Sequence, residues 1–187
     1  MYKVEIRRPQ MEEKEEIQQF FRTVIQDTFA KEGLSELLED MENEIKDKKR
    51  YLECDFDSCG KDRYFLIALD KKHNQVIGTI EYGPASDLIN RCTDGELKEL
   101  NEVGTVFVHP NYQGMGIGTL LLNVMVLTLQ NREIKEFCLD SGYINAQKIW
   151  KKKLGEPHYL LKDYWGDGSD HMIWKKRTND MSIIFST

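Results

Sequence analysis

The chain has 187 residues and a formal charge of −6, with 40% apolar and 31% charged residues. That composition suits one soluble domain with its own core. It argues against a general nucleic-acid binder, which carries a basic face, and no run reaches the roughly 18 apolar residues of a membrane helix. The opening Met1-Tyr2-Lys3-Val4-Glu5 lacks the apolar stretch of a signal peptide. Cys54, Cys59, Cys92 and Cys138 form no dense framework, so a reduced, cytoplasmic chain is expected. Cys54-x4-Cys59 could open a metal site, but His73, His109, His158 and His171 are scattered. No metal is expected.

In chain order, Tyr2 to Arg8 alternates Val4 and Ile6 with charged residues and reads as a strand ended by Pro9. Met11 to Thr28 carries Ile17, Phe20, Phe21, Val24 and Ile25 at helical spacing. Its first turns hold Glu12, Glu13, Glu15 and Glu16, where the helix dipole favours negative charge. After Gly33 a second helix is predicted from Leu34 to Lys49, with Leu34, Leu37, Leu38, Met41 and Ile45 on one face. Tyr51 to Lys61 reads as a polar surface loop. Arg63 to Leu69 and Val76 to Tyr82 form a hairpin around Asp70 to Asn74. Ser86 to Gly95 reads as a loop with room for a short helical piece.

Leu97 to Val108 contains the central strand. A polar turn follows (His109-Pro110-Asn111-Tyr112), then glycines at alternate positions, Gly114, Gly116 and Gly118. The helix after them shows the stripe Ile117, Leu120, Leu121, Val124, Met125, Thr128. Such a strand–loop–helix bares the amides of the helix's first turn and makes an anion site. Glycine lets a phosphate approach the backbone. The remaining elements are a strand Glu136 to Leu139 closed by Asp140-Ser141-Gly142, a helix Ile144 to Leu154, and a strand pair, His158 to Tyr164 and His171 to Lys175. Residues 176–187 read as a tail.

Three kinds of phosphate site could own such a loop. A phosphate-loop NTPase needs Gly-Lys-Ser/Thr, whereas Gly118 is followed by Thr119-Leu120. A dinucleotide fold needs its glycines directly after the strand. Asp140 suits that reading, but His109 to Gln113 intervene. The third fits best. Gln113-Gly114-Met115-Gly116-Ile117-Gly118 matches Gln/Arg-x-x-Gly-x-Gly/Ala, and with the strand and turn before it this stretch resembles the acyl-CoA signature of the GNAT superfamily of N-acetyltransferases. The element order, β-α-α-β-β-β-α-β-α-β-β, is also that of the family. The resemblance implies one α/β domain over residues 1–187, with the tail loosely attached. Its mixed, mostly antiparallel sheet would have six or seven strands and about four flanking helices.

The resemblance also implies a function: transfer of the acetyl group of acetyl-CoA to a primary amine of a small molecule or peptide, by direct attack in a ternary complex. Backbone amides of Gln113, Gly114, Met115, Gly116, Ile117, Gly118 and Thr119 would hold the pyrophosphate. Val106 and Val108 would pair with the pantetheine amides, an N–H near Val108 would serve the thioester oxygen, and Asn145 could bond the pantetheine arm. Glu102, eleven residues before Gln113, matches the general base of the histone-acetyltransferase branch. It shares strand parity with Val106. Glu81 is a second candidate. The family's Asn-x-x-Ala-x-x-x-Tyr departs here: anchored on Ala146, the tyrosine position holds Trp150, which cannot act as an acid. Tyr143, Ser141 or water would replace it. Acceptor contacts would come from residues 28–33, 82–91 and 164–170. A homodimer stays open. The rival readings are a CoA-binding member without turnover and a dinucleotide-dependent oxidoreductase.

Overall fold

A computed structural model of the chain describes residues 3–185. Tyr2, the predicted start of the first strand, lies outside the described residues, as do Met1, Ser186 and Thr187. The elements are β1 (Val4–Arg7), α1 (Lys14–Lys31), α2 (Leu38–Asp57), β2 (Tyr64–Asp70), β3 (Gln75–Pro84), α3 (Asp87–Cys92), β4 (Asn101–Val108), α4 (Ile117–Asn131), β5 (Glu136–Ser141), α5 (Ile144–Leu154), β6 (Tyr159–Leu161) and β7 (His171–Arg177). The seven strands form one sheet in the order β1-β2-β3-β4-β5-β7-β6. β1, β2 and β3 are antiparallel, β4 runs parallel to β5, and β7 is antiparallel to β5 and β6. This is the mixed α/β class expected, with α3 as a fifth helix. The chain divides into two compact units. One takes the residues through Tyr82, then 105–128 and those from Ile183; the other takes 83–104 and 129–182.

In the first unit α1 buries Ile17, Phe20, Phe21, Val24, Ile25 and Phe29, the spacing of one helical face. Phe21 sits with its ring 6.1 Å from those of both Phe65 and Phe107. Burying such a side chain contributes about 1.5–3 kcal/mol. β2 and β3 are buried along almost their whole length; β2 is accordingly apolar from Phe65 to Leu69, whereas β3 also buries Thr79 and Glu81.

α2 corrects the sequence reading twice. Its early leucines do not form the buried face: Leu37 and Leu38 are 45% and 62% exposed. The helix then continues through the predicted loop, burying Ile45, Leu52 and Asp55. Asp55 holds that extension in place. Its Oδ1 accepts the Phe65 N–H at 2.8 Å, and its Oδ2 accepts from Arg8 at 2.8 Å. Burial pushes the Asp55 carboxyl up, against the pull of Phe65 and Arg8.

In the second unit Ile89, Leu97, Cys138 and Ile173 pack together. Trp174 is fully buried and donates its indole N–H to the Gly155 carbonyl at 2.9 Å. Asp140 and Ser141 do not close β5 as expected but belong to it, because β7 pairs Asp140 with Ile173 and Ser141 with Met172. β6 is shorter than predicted, and β7 reaches Arg177. Thr178 is buried and donates its hydroxyl to the Ile134 carbonyl at 3.0 Å. In the first unit Asn123 donates to the Ile184 carbonyl at 2.8 Å, so the tail has its own anchor there.

Candidate active site

The glycine stretch is formed as the sequence predicts. β4 ends at Val108, residues Pro110–Tyr112 make a single 3-10 turn, and α4 begins at Ile117. Gly114 and Gly116 have φ of +77° and +82°, and a Cβ at either would meet nothing within 4 Å. The loop therefore needs glycine for its backbone shape and faces open space. Gly118 differs: it has no positive φ, and its nearest neighbour would be Val108 Cγ2 at 3.6 Å. Ile117 is buried, whereas Gln113, Met115 and Thr119 are exposed.

Helix geometry leaves the first-turn amides without partners four residues back. Two of the predicted clamp amides already bond within the loop: Gln113 N–H to the Pro110 carbonyl at 3.4 Å and Thr119 N–H to the Gly116 carbonyl at 3.0 Å. Gly114 and Gly116, the two positive-φ positions, lie between those two bonds. The Gln113 side chain folds back, donating to the Val108 carbonyl at 3.2 Å and accepting from Lys31 at 2.9 Å. Sequence reasoning missed Lys31, a cation that long-range folding brings to this loop. Lys31 also pairs with Asp27 at 2.6 Å.

The β4 strand has a break that the sequence reading did not foresee. Thr105 has φ of +49°, a region that β-branched residues avoid. It is buried, donates its hydroxyl to Glu81 Oε1 at 3.2 Å, and accepts on its carbonyl from the Thr79 hydroxyl at 2.9 Å. Strain of this kind persists only where surrounding bonds impose it. The extended geometry that underlies the parity of Glu102 and Val106 is interrupted here. Val106 and Val108, both half-buried, follow the break.

Glu81 is tied up. It is 1% exposed, and its Oε2 accepts from Arg63 at 2.6 Å. The Arg63 guanidinium in turn lies 3.8 Å from the Tyr51 ring centre. This is a buried ion pair.

In the second unit Glu102 is 9% exposed, and its Oε2 accepts the Ser86 N–H at 2.7 Å. Ser86 caps α3. Glu102 also acts on Cys138, whose thiol is pushed up to about 12 by burial first and then by Glu102 and Asp140. Tyr143 stands half-buried at the N-cap of α5, its N–H donating to Ser141 Oγ at 3.2 Å. Asn145 is exposed in the first turn of α5, and Trp150 is half-buried further along. Gln147 fixes this end: its amide donates to the carbonyls of Ser141 and Asp170, each at 2.9 Å. Glu102 and Tyr143 thus fall in one unit, and the glycine loop with Val106 and Val108 in the other. Among the described residues no group of three or more His, Cys, Asp or Glu could hold a metal, and no helix is long and apolar enough to cross a membrane.

The model of the acetyltransferase (GNAT) family matches residues 30–156, more than half of the chain. No curated protein matches significantly. Among solved structures, the PaiA N-acetyltransferase of Thermoplasma acidophilum in complex with coenzyme A is 22% identical, with a TM-score of 0.65 over 94% of this chain and 99% of that one. The ribosomal-protein-alanine N-acetyltransferase of Brucella melitensis is 23% identical, with a TM-score of 0.65 over 92% and 99%. YncA of Salmonella typhimurium, solved with its cofactor acetyl-CoA, is 14% identical, with a TM-score of 0.65 over 99% of both chains. At these identities the likeness speaks to the fold. With the family match over the central stretch, it places this chain in the GNAT family of acetyltransferases.

Proposed function

We propose that the protein is an acetyl-CoA-dependent N-acetyltransferase that acts in the cytoplasm on a primary amine of a small molecule or peptide. The single observation that carries this reading is the loop 113–118. Its two positive-φ glycines face open space at the start of α4, in a chain of the GNAT family. Amides of 114–118 would hold the pyrophosphate of CoA, with Gln113 and Thr119 shaping the loop. The backbone of Val106 and Val108 would receive the pantetheine arm, with Asn145 as a further partner. An amide near Val108 would donate to the thioester oxygen as charge develops there.

The chemistry follows from what an amine needs. Near pKa 10 it is mostly protonated at neutral pH and must lose a proton before attack. Glu102 would take that proton, directly or through water. The amine nitrogen then forms a bond to the acetyl carbon, sheds its second proton to solvent as the C–S bond breaks, and CoA leaves as a thiolate. Tyr143 would return a proton to it. Asp140, the residue that suited a dinucleotide site, instead approaches buried His171 at 3.1 Å.

A second reading is favoured by Trp150 at the position where the family's acid tyrosine stands: a member that holds CoA without turnover. An acceptor screen by thiol release separates the two. Release with at least one amine supports the transferase. CoA binding with no release from any amine supports the second reading.

A further inference from the structure

We propose that Trp165, with Asp140, forms a subsite for a second ammonium group on the acceptor, so that the preferred substrates are diamines and longer polycationic amines. This rests on the acetyl-transfer reading for its meaning but on separate residues for its support, all in the second unit.

Trp165 is 55% exposed and Tyr164 is 40% exposed, with ring centres 4.9 Å apart in an edge-to-face pair. The indole is nevertheless fixed. Its Nε1–H donates to Nδ1 of His171 at 3.2 Å, and its backbone N–H bonds to the Ser169 carbonyl at 3.0 Å. It lies so close over Gly142 that a Cβ there would come within 2.6 Å of Nε1. The loop beneath is crosslinked, Gly168 N–H to Asp163 Oδ1 at 2.7 Å and Asp163 N–H to Asp170 Oδ1 at 3.0 Å. A large aromatic held rigid and half in solvent is a preorganised contact.

What the indole offers outward decides the ligand. Its one side-chain donor is turned inward to His171, so only the ring face and edge remain. A ring face takes an apolar plane or a cation. The local charge selects the cation. Residues 162–170 carry Asp163, Asp167 and Asp170 against Lys162 alone. His171 is 2% exposed, and its Nε2 lies 3.1 Å from Asp140 Oδ2, yet it lacks a well-aligned hydrogen bond. Asp140, with a side chain 21% exposed, is therefore not saturated by the histidine beneath it. Arg91 acts on the Tyr164 hydroxyl, which also pairs with Cys92. The cation is accordingly assigned to the Trp165 and Asp140 side.

The reacting nitrogen must be neutral, so it cannot be the ion held here. The subsite suits an ammonium that stays charged throughout the reaction. That requires an acceptor with two amines.

The test compares 1,4-diaminobutane with butylamine and benzylamine. Thiol release is followed in the wild type, Trp165→Ala, Trp165→Phe and Asp140→Asn, together with diamine binding by the change in tryptophan fluorescence. The expected result is a kcat/KM for the diamine about tenfold or more above that for butylamine. Trp165→Ala and Asp140→Asn should lose that advantage through KM for the diamine, with KM for acetyl-CoA unchanged. Trp165→Phe should keep part of it and guards against a misfolded alanine variant. Butylamine or benzylamine used as well as the diamine would overturn the subsite and leave acetyl transfer standing. Saturable diamine binding that depends on Trp165, with no release from any amine, would support the subsite and remove the transferase reading. Neither binding nor release would overturn both.

Discussion

The Tyr112 hydroxyl donates to Oδ2 of Asp70 at 2.9 Å. Tyr112 directly precedes Gln113, the first residue of the glycine motif, and Asp70 ends β2. The Asp70 carboxylate is fully buried and also accepts from His73 Nδ1 at 2.6 Å and from the Lys72 N–H at 2.9 Å. The hairpin turn therefore sets the position of the turn that leads into the loop. Tyr112→Phe removes only the hydroxyl. It should raise KM for acetyl-CoA roughly fivefold, because a loosened loop misplaces its amides, and leave the acceptor KM alone. Steady-state kinetics with each substrate varied in turn would show it; an unchanged KM for acetyl-CoA would contradict it.

Asp70 also makes a prediction about pH. The contact with His73, followed by those with Lys72 and Tyr112, holds its carboxyl down to about 2. A depressed folded pKa adds stability in full above the unfolded value, and that stability is lost as pH falls through the folded one. Asp70→Asn should therefore be less stable than wild type at neutral pH, and the gap should close as pH falls from about 4 towards about 2. Urea melts across that range provide the check, and a gap that stayed constant would contradict the assignment.

The contact of Glu102 with the Ser86 N–H is separable from its proposed role as base. Glu102→Gln keeps an oxygen for the Ser86 N–H, so α3 should stay capped in place. If the carboxylate is the base, kcat/KM at neutral pH should fall about a hundredfold and the acid limb of the pH–rate profile should flatten. A wild-type profile in this variant would assign Glu102 to structure alone.

The Arg63–Glu81 pair is expected to act through stability. Both side chains are buried, so removing one partner leaves an uncompensated charge, at a cost of about 3–5 kcal/mol. Glu81→Ala should lower the melting temperature sharply. Arg63→Met with Glu81→Leu should recover much of the loss. Because Glu81 also receives the Thr105 hydroxyl, the single variant tests whether the left-handed residue in β4 needs that bond. Calorimetric melts decide; a single variant as stable as wild type would sink this account.

What the sequence reveals here is what local rules control. The loop 113–118 and the helix after it depend on glycine and on a 3.6-residue stripe, both visible within about twenty letters. α5 likewise shows its limits, Ile144 to Leu154, through its own stop signals. The misread parts depend on partners far along the chain. Residues 51–57 look like a polar loop because the Asp55 partners, Arg8 and Phe65, lie elsewhere in the sequence. Asp140 and Ser141 look like a turn because β7, thirty residues later, supplies the ladder. Thr105 looks like an ordinary strand residue until Glu81 and Thr79 are placed beside it.

The central claim is that amides at the start of α4 grip the diphosphate of CoA, and Gly118 is the place to test it. Gly116 is unsuitable, since any side chain there meets a backbone strain at φ +82°. Gly118 has no such strain, and alanine fits the family pattern at that position. Titration calorimetry of acetyl-CoA into wild type, Gly118→Ala and Gly118→Glu should give similar affinities for the first two. The glutamate should weaken binding about a hundredfold, roughly 2.8 kcal/mol, with the melting temperature held. Equal affinity for all three proteins would contradict the account.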